Sequence, residues 1–309
     1  MFTEIVGQIL ALFLVTCVGY LAGRLGFLDD RTVPGVNKLL LNVCVPCMTV
    51  AAAVGGGERL SNDTVLLALA ASCGLCVVLP LLGFALNWLF RVPRNERAMF
   101  RFMALLPNIG FMGYPVVKAF YGSSAVFLNA LALMLITALQ FTYGIAVLSH
   151  ADGGKKSFFF NWRDLATPGL VASVIALVLF FTGATLPSFL ATALDDIGGV
   201  APPLAMMTIG SSLVGVDAKR VLGDWKLHAY TLVKQLVFPL AVWFALSPFF
   251  PDRLVLGVAV IVLAMPVGAM NIVFANQYRP DCVDVCSRAI VLTTLWSFVT
   301  LPVLALFIA

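Results

Sequence analysis

The chain has 309 residues, of which 61% are hydrophobic and 11% are charged, whereas about 25% of the residues are charged in an ordinary soluble domain. A water-soluble fold of this size could not bury so much apolar surface, so the main solvent of the chain must be lipid. The formal net charge of +4 then bears on orientation in a membrane, and we expect no nucleic-acid partner.

Charged residues divide the chain into ten long neutral stretches, which reach or approach the roughly 17 to 25 residues that a helix needs to cross a bilayer. Lipid offers no hydrogen-bond partners to the backbone, and the period-two alternation of a β-barrel is absent. We therefore predict an all-α membrane protein with ten transmembrane helices. In chain order, the predicted spans are Ile5–Gly23, Leu39–Gly57, Thr64–Phe90, Phe102–Val117, Ala119–Ser149, Leu165–Leu194, Ile197–Val216, Gln235–Pro251, Leu254–Tyr278 and Ala289–Ala309.

Basic residues are concentrated in every second loop between these spans. The opposite loops hold only Arg59, Lys118 and Arg253. By the positive-inside rule the basic loops are cytoplasmic, which predicts a multi-pass protein of the inner (plasma) membrane with both termini outside. The 15 basic residues of the predicted cytoplasmic loops are Arg24, Arg31, Lys38, Arg91, Arg94, Arg97, Arg101, Lys155, Lys156, Arg163, Lys219, Arg220, Lys226, Arg279 and Arg288.

Lys234 falls at the start of the predicted eighth span, shortly before Pro239. We expect its side chain to extend to the cytoplasmic interface, as long basic side chains near helix ends do. The alternative, in which its ammonium group meets an anionic substrate within the membrane, stays open.

The two halves of the chain repeat one another. Three prolines recur in the same order at offsets of 157, 159 and 159 residues, as Pro46 and Pro203, Pro80 and Pro239, and Pro107 and Pro266. Each half contains five predicted spans, and an odd number means that the second half enters the membrane from the opposite side. We therefore predict one five-helix repeat in residues 1–150 and a second, inverted one in residues 151–309, which is the signature of secondary transporters.

The fourth and ninth spans carry matching interruptions, "LLPNIGFMGYP" and "AMPVGAMN". Proline removes a backbone donor, while glycine and asparagine favour non-helical geometry. The half-helix after each break points its positive end toward the membrane centre, and two such ends that meet form an anion site. The alternative that the prolines only kink packed helices stays open. The residues that form the breaks are Pro107, Asn108, Gly110, Pro266, Gly268 and Asn271.

At these residues the sequence resembles the auxin efflux carrier (PIN-type) family, which also contains bacterial organic-anion permeases. The stretch "LPNIGFMGYPVVKAFYG" (Leu106–Gly122) is similar to the fourth-helix pattern L-P-N-T-L-V-M-G-I-P-L-L-K-A-M-Y-G of the plant carriers. "AMPVGAMNIVFANQYRPD" (Ala264–Asp281) resembles their ninth-helix run A-L-P-Q-G-I-V-P-F-V-F-A-K-E-Y, and "GVNKLLLNVCVP" (Gly35–Pro46) resembles G-I-N-R-F-V…V-P. The likeness covers essentially the whole chain, and its short loops fit the bacterial branch.

The resemblance implies a sodium/proton-antiporter-like transporter fold with crossed, broken helices 4 and 9. It also implies a scaffold of helices 1, 2, 6 and 7, a mobile transport part of helices 3–5 and 8–10, elevator-type alternating access and a homodimer. On this reading Asn108 binds a substrate carboxylate, and Gln140 belongs to a neighbouring polar support site. The full set of expected site residues is Asn108, Ile109, Gly110, Gln140, Val267, Gly268 and Asn271 for substrate, Pro107 and Pro266 for the crossing, and Lys234 and Thr137 for support.

Two departures from the plant pattern separate this chain from an auxin carrier. Val267 stands where the plant carriers have a glutamine, and Asn271 stands where they have a second proline. We therefore expect a small carboxylate such as malonate or malate, with an auxin-like substrate as the less favoured choice.

The spans lack the residues that other function classes need. No Asp or Glu lies in the middle of a span, whereas sodium- or proton-coupled exchangers and bile-acid-type symporters usually need intramembrane carboxylates. These exchangers stay as the alternative, as does a solute sensor that does not translocate. The pairs Cys44/Cys47 and Cys73/Cys76 have no histidine nearby, so we expect no metal site, no cofactor and no enzyme.

Overall fold

A computed structural model of the protein describes residues 2–29, 31–54, 60–149, 167–214, 221 and 223–308. Within these residues the fold is helical, and strand-like pairing is limited to one isolated bridge between Pro107 and Val267. The predicted all-α class is therefore confirmed. The helices are α1 (Phe2–Arg24), α2 (Thr32–Val54), α3 (Asn62–Leu89), α4 (Arg97–Leu105), α5 (Tyr114–Tyr121), α6 (Ser123–Ser149), α7 (Pro168–Thr182), α8 (Ser188–Gly199), α9 (Ala201–Ser212), α10 (Trp225–Leu246), α11 (Arg253–Ala264), α12 (Asn271–Tyr278) and α13 (Pro280–Ile308).

Length and apolar character identify the helices that can cross a membrane. In the described part of the chain, five helices are long and apolar enough, namely α2, α3, α6, α10 and α13. Shorter apolar helices include Leu10–Arg24 within α1, together with α7 and α11. Large apolar side chains such as Leu14, Val77 and Phe244 are exposed on these helices, as expected where the solvent is lipid. The chain is a multi-pass helical membrane protein.

Two predicted span boundaries are wrong. Leu165–Leu194 is not one span, because α7 ends at Thr182, the following Gly183 has a left-handed φ of 68°, and Pro187 precedes the next helix. The next span was predicted as Ile197–Val216, but its helical segment begins earlier, at Ser188 of α8, and Asp195 lies inside α8. Asp195 is exposed, so this helix tolerates the charge. Glycine and proline, rather than the acidic residue, mark its start.

The eighth span also begins earlier than predicted. The sequence predicts Gln235–Pro251, whereas α10 starts at Trp225. Asp224 caps this helix, since its carboxylate accepts the Leu227 N–H at 3.1 Å, a standard way to satisfy a free donor at a helix start. Lys234 consequently lies nine residues into α10, about 14 Å along its axis.

Two helix groups can be distinguished by their packing. Group A contains α1, α2, α7, α8 and α9, in which α1 packs on α9, and α2 packs on α7 and α8. Group B contains α3 to α6 and α10 to α13, in which α3 packs on α4, α6 and α11. Within group A, α1 and α9 are in backbone contact: a Cβ on Gly19 would overlap Met207, and one on Gly210 would overlap Thr16.

The boundary between the two groups is mostly apolar. Among the described residues, the one hydrogen bond that crosses it joins Thr49 Oγ1 of α2 to the Tyr114 hydroxyl of α5, at 3.2 Å. Aromatic rings also meet there, as Phe13 with Phe298 and Phe127 with Phe180. Few directional bonds therefore fix group B against group A in this part of the chain.

Candidate functional site

The fourth predicted span is interrupted where α4 ends. Leu106 leaves the helix with φ −114° and ψ 71°, in keeping with the restriction that a proline places on the residue before it. Asn108 is also non-helical, with φ −78° and ψ 57°. The backbone resumes as a turn of π-helix over Ile109–Gly113 that leads into α5. The N-terminal end of the resumed helix, with its partial positive charge, therefore lies at the break.

The ninth predicted span is interrupted in the same way. After α11, Met265 is extended, with φ −59° and ψ 144°, and Pro266 follows it. Helix resumes at Asn271, the first residue of α12. This break also leaves one helix C-terminus and one helix N-terminus inside the fold, so that backbone groups of both must find partners away from water.

The two breaks lie side by side and bond to each other. The Asn108 N–H donates to Pro266 O at 2.8 Å, and the Gly268 N–H donates to Leu106 O at 2.9 Å. These bonds form the isolated antiparallel bridge between Pro107 and Val267. A Cβ on Gly268 would lie only 3.0 Å from Leu106 O, so the close approach favours glycine there. Backbone groups freed by one break thus satisfy those freed by the other.

The side chain of Asn271 hydrogen-bonds to both breaks. Its amide nitrogen donates to Leu106 O at 3.0 Å and to Gly268 O at 2.7 Å. The residue is fully buried, and its Oδ1 has no hydrogen-bond partner among the described residues. Thr293 of α13 supports the same break, since its hydroxyl accepts the Val267 N–H at 3.0 Å. The amide nitrogen of Asn271 is therefore occupied by the protein itself.

Asn108 has a different environment. Only 5% of the residue is exposed, and no group in the described ranges hydrogen-bonds its side-chain amide. The backbone carbonyl oxygen of Asn108 accepts the N–H groups of Met112 and Gly113 at 3.1 and 3.0 Å. Ile109 is buried beside it, and Gly110 faces Leu41 of α2 and Leu133 of α6. The uncommitted amide thus lies at the start of a helix, near the boundary between groups A and B.

Gln140 and Thr137 lie on α6, next to the crossing rather than in it. Gln140 is buried and begins a π-helical turn, Gln140–Gly144, that packs against α4. The neighbouring Phe141 places its ring 6.0 Å from that of Phe274 in α12. Thr137 is half-buried one turn earlier. Neither side chain makes a hydrogen bond to the break residues of the described chain.

Lys234 is not at the membrane interface, so the expectation that it extends to the cytoplasm is wrong. Its exposed fraction is 0%, and its Nζ donates to Met265 O at 2.6 Å. The prediction fails because a charged residue need not lie at the end of a span. α10 begins nine residues earlier, and a π-helical turn, Val233–Val237, directs the side chain toward the ninth-span break.

A comparison with known proteins agrees with this architecture. Residues 4–305 match the family described as membrane transport protein, which includes the auxin efflux carriers. The chain belongs to this family. The resemblance stated from the motifs of the fourth and ninth spans is confirmed.

Several relatives in the membrane transport protein family align with nearly the whole chain. An "Uncharacterized transporter" of Methanothermobacter thermautotrophicus is 26% identical over 300 residues, 95% of each chain. "Uncharacterized transporter YfdV" of Escherichia coli (strain K12) is 24% identical over 90% of each chain. A "Putative malonate transporter" of Rhizobium meliloti is 24% identical over 96% of this chain and 93% of its own. All three are named as transporters.

In this membrane transport protein, a cavity of about 480 Å³ opens between groups A and B. Met48 of α2, Phe127 of α6 and Phe180 of α7 form apolar walls, while Lys118 and Asp195 contribute opposite charges. The cavity lies at the end of the fold where α2 and α7 terminate and α6 begins. The boundary between the groups is therefore open at that end.

Two polar residues that support the crossing, Gln235 and Thr293, are not among the predicted site residues. Gln235 is fully buried, and its amide nitrogen donates to Thr293 O at 2.8 Å. Thr293 in turn holds the Val267 N–H. The signal for Gln235 was its place next to Lys234, because polar and ionisable residues inside a long apolar run are rare. The assignment of Lys234 to a helix end concealed it.

Proposed function

We propose that this protein is a secondary transporter that carries small carboxylates across the membrane. One observation carries the proposal: two interrupted helices cross, and the buried amide of Asn108, at a helix N-terminus, has no hydrogen-bond partner among the described residues. A helix N-terminus favours an anion because of its free N–H groups and positive partial charge. An apolar setting then makes these groups available to a carboxylate rather than to water.

The charge inventory supports an anionic substrate. The buried charged side chains of the described residues are Lys234 and Arg279, and no described carboxylate is buried. A sodium or proton exchanger that binds its cation on an acidic side chain finds no such group in this part of the chain. The relative named for malonate supports the choice of a small dicarboxylate.

For the mechanism, we propose that group B is the transport part and group A the scaffold, and that B moves against A in an elevator-type cycle. The apolar boundary with its one hydrogen bond among the described residues supports sliding. We further propose ten spans in two inverted repeats, residues 1–150 and 151–309, with both termini outside and a homodimer. In the predicted repeat, α7 corresponds to α1 and α9 corresponds to α2. The contact of α1 with α9 is then the counterpart of the contact of α7 with α2, and this match supports the repeat.

The test of transport is uptake into liposomes that contain the purified protein. We expect labelled malonate, malate or a related carboxylate to accumulate, and unlabelled carboxylates to compete. Ion gradients across the same liposomes are varied one at a time. Sodium–proton exchange without any organic anion would instead support the antiporter, and binding without uptake would support the sensor.

The site is tested with Asn108→Ala. A hydrogen bond to a charged group is worth about 1.5–3 kcal/mol, so carboxylate affinity should fall roughly 10- to 150-fold. Asn276→Ala is the matched control, because Asn276 is exposed on α12 and its amide donates to Ile272 O of the same helix. Unchanged affinity in folded Asn108→Ala protein would remove Asn108 from the site.

A further inference from the structure

Lys234 and Asn108 both donate hydrogen bonds to the ninth-span break. Two successive carbonyls of the ninth-span break are used: Met265 O accepts Lys234 Nζ at 2.6 Å, and Pro266 O accepts the Asn108 N–H at 2.8 Å. Met265 directly follows α11, so its carbonyl belongs to the negative end of that helix. Lys234 and Asn108 therefore bond to adjacent residues of one break, and Asn108 is where the proposed function places a carboxylate.

Lys234 has no charged partner in the described structure. Its surroundings are α10 itself, the end of α11, and α13. The titratable or charged side chains on these elements are Lys226, His228 and Tyr230 on α10, Arg253 on α11, and Asp281, Cys282, Asp284, Cys286 and Arg288 on α13. The charged ones lie toward helix ends, where Arg288 pairs with Asp224 and Asp284, and Arg253 lies over Trp243.

A buried ammonium without a carboxylate is unfavourable, and a nearby anion offsets that penalty. We propose that Lys234 is the proton-binding site that couples proton movement to carboxylate transport. This inference rests on the proposed function. The carboxylate that binds at the crossing stabilises the protonated lysine, and by reciprocity the protonated lysine strengthens binding of the carboxylate.

The proton balance follows directly. When the anion enters, Nζ takes one proton from the water on the same side and becomes an ammonium that donates to Met265 O. Anion and proton then cross together. When the anion leaves on the other side, the ammonium loses its compensating charge and releases the proton to that solution. One negative charge of the substrate is cancelled in each crossing, which lowers the cost of moving it through lipid.

The test is titration calorimetry of the full chain in detergent, with malonate at a pH where free malonate is fully ionised. Measurements in buffers with different ionisation enthalpies give the number of protons taken up on binding. We expect about one proton per malonate, with affinity that falls up to about tenfold per unit rise in pH. Lys234→Met and Lys234→Arg, which fix the charge at zero and at one, should bind with no proton uptake and no such pH dependence.

Lys226→Met is the control, because Lys226 is exposed on the same helix and should keep the proton uptake of the native chain. Proton uptake that persists in Lys234→Met or Lys234→Arg overturns the inference, as does malonate binding by the native chain without uptake. Either result leaves the proposed function intact. If the native chain binds no carboxylate of the panel, the proposed function fails and this inference falls with it.

Discussion

At the scale of single residues, two asparagines that the sequence treats alike have different surroundings. The side-chain amide nitrogen of Asn271 donates hydrogen bonds to Leu106 O and Gly268 O. The side-chain amide of Asn108 has no protein partner in the described ranges. We therefore propose that Asn271 is a positioning residue that holds the crossing, and that Asn108 meets the substrate. This distinction is open to measurement because the two roles affect stability differently.

Asn271→Leu keeps the size of the side chain but removes both donors. Loss of hydrogen bonds to buried acceptors costs about 1–3 kcal/mol, so the thermal unfolding midpoint in detergent should fall. Asn276→Leu, at an exposed position of the same helix, should change stability by less than about 0.5 kcal/mol. Equal midpoints for the two variants would contradict a structural role for Asn271.

At the scale of helices, small residues decide which pairs approach closely. The α1–α9 pair is in backbone contact at Gly19 and Gly210, an arrangement typical of membrane helices, where tight van der Waals packing replaces the hydrophobic effect. Such contact does not allow sliding. We therefore expect α1 and α9 to move as one body within group A.

Gly210→Ala tests this packing. Alanine gains about 0.5–1 kcal/mol of helix propensity over glycine, but here its Cβ would overlap Thr16 O, and overpacking typically costs about 1–3 kcal/mol. We expect a net loss of thermal stability. Gly74→Ala in α3 is the control, because its Cβ would enter open space and the variant should be as stable as the native chain or more so. A stabilised Gly210→Ala would show that α1 and α9 are not closely packed.

At the scale of the whole molecule, the boundary between groups A and B matters most. It is apolar and carries a cavity at one end, and the Thr49–Tyr114 hydrogen bond is the one that crosses it among the described residues. Apolar contacts are non-directional, so two different alignments of the groups can have similar energies. A single hydrogen bond then biases which alignment is populated.

Tyr114→Phe removes that bond with little change in shape. A net loss of about 0.5–1.5 kcal/mol should lower the population of the present arrangement roughly two- to tenfold relative to any other. The change can be measured as a distance distribution between spin labels on α7 and α3. Tyr121→Phe is the control, since Tyr121 donates to Ile308 O within group B; its distribution should match the native one. Matching distributions for both variants would argue against a biasing role.

The membrane class, the family and the positions of both breaks follow from the amino-acid sequence alone. These depend on composition and on local chemistry, because each break combines a proline with a nearby glycine and asparagine, which favour non-helical geometry. Span ends were less predictable, because a charged residue such as Asp195 can occupy an exposed helix face and need not mark a helix end. Gly183 and Pro187 were better markers of the same boundary.

Which polar groups meet depends on the assembled fold, and the sequence does not predict it. Lys234 and Lys226 are both lysines of α10, yet Lys234 is fully buried against Met265 O and Lys226 is exposed. That difference depends on where α10 begins and on which helices surround it, and these are properties of the assembled fold. The separate environments of Asn108 and Asn271 arise in the same way, because each depends on a backbone segment about 160 residues away in the chain.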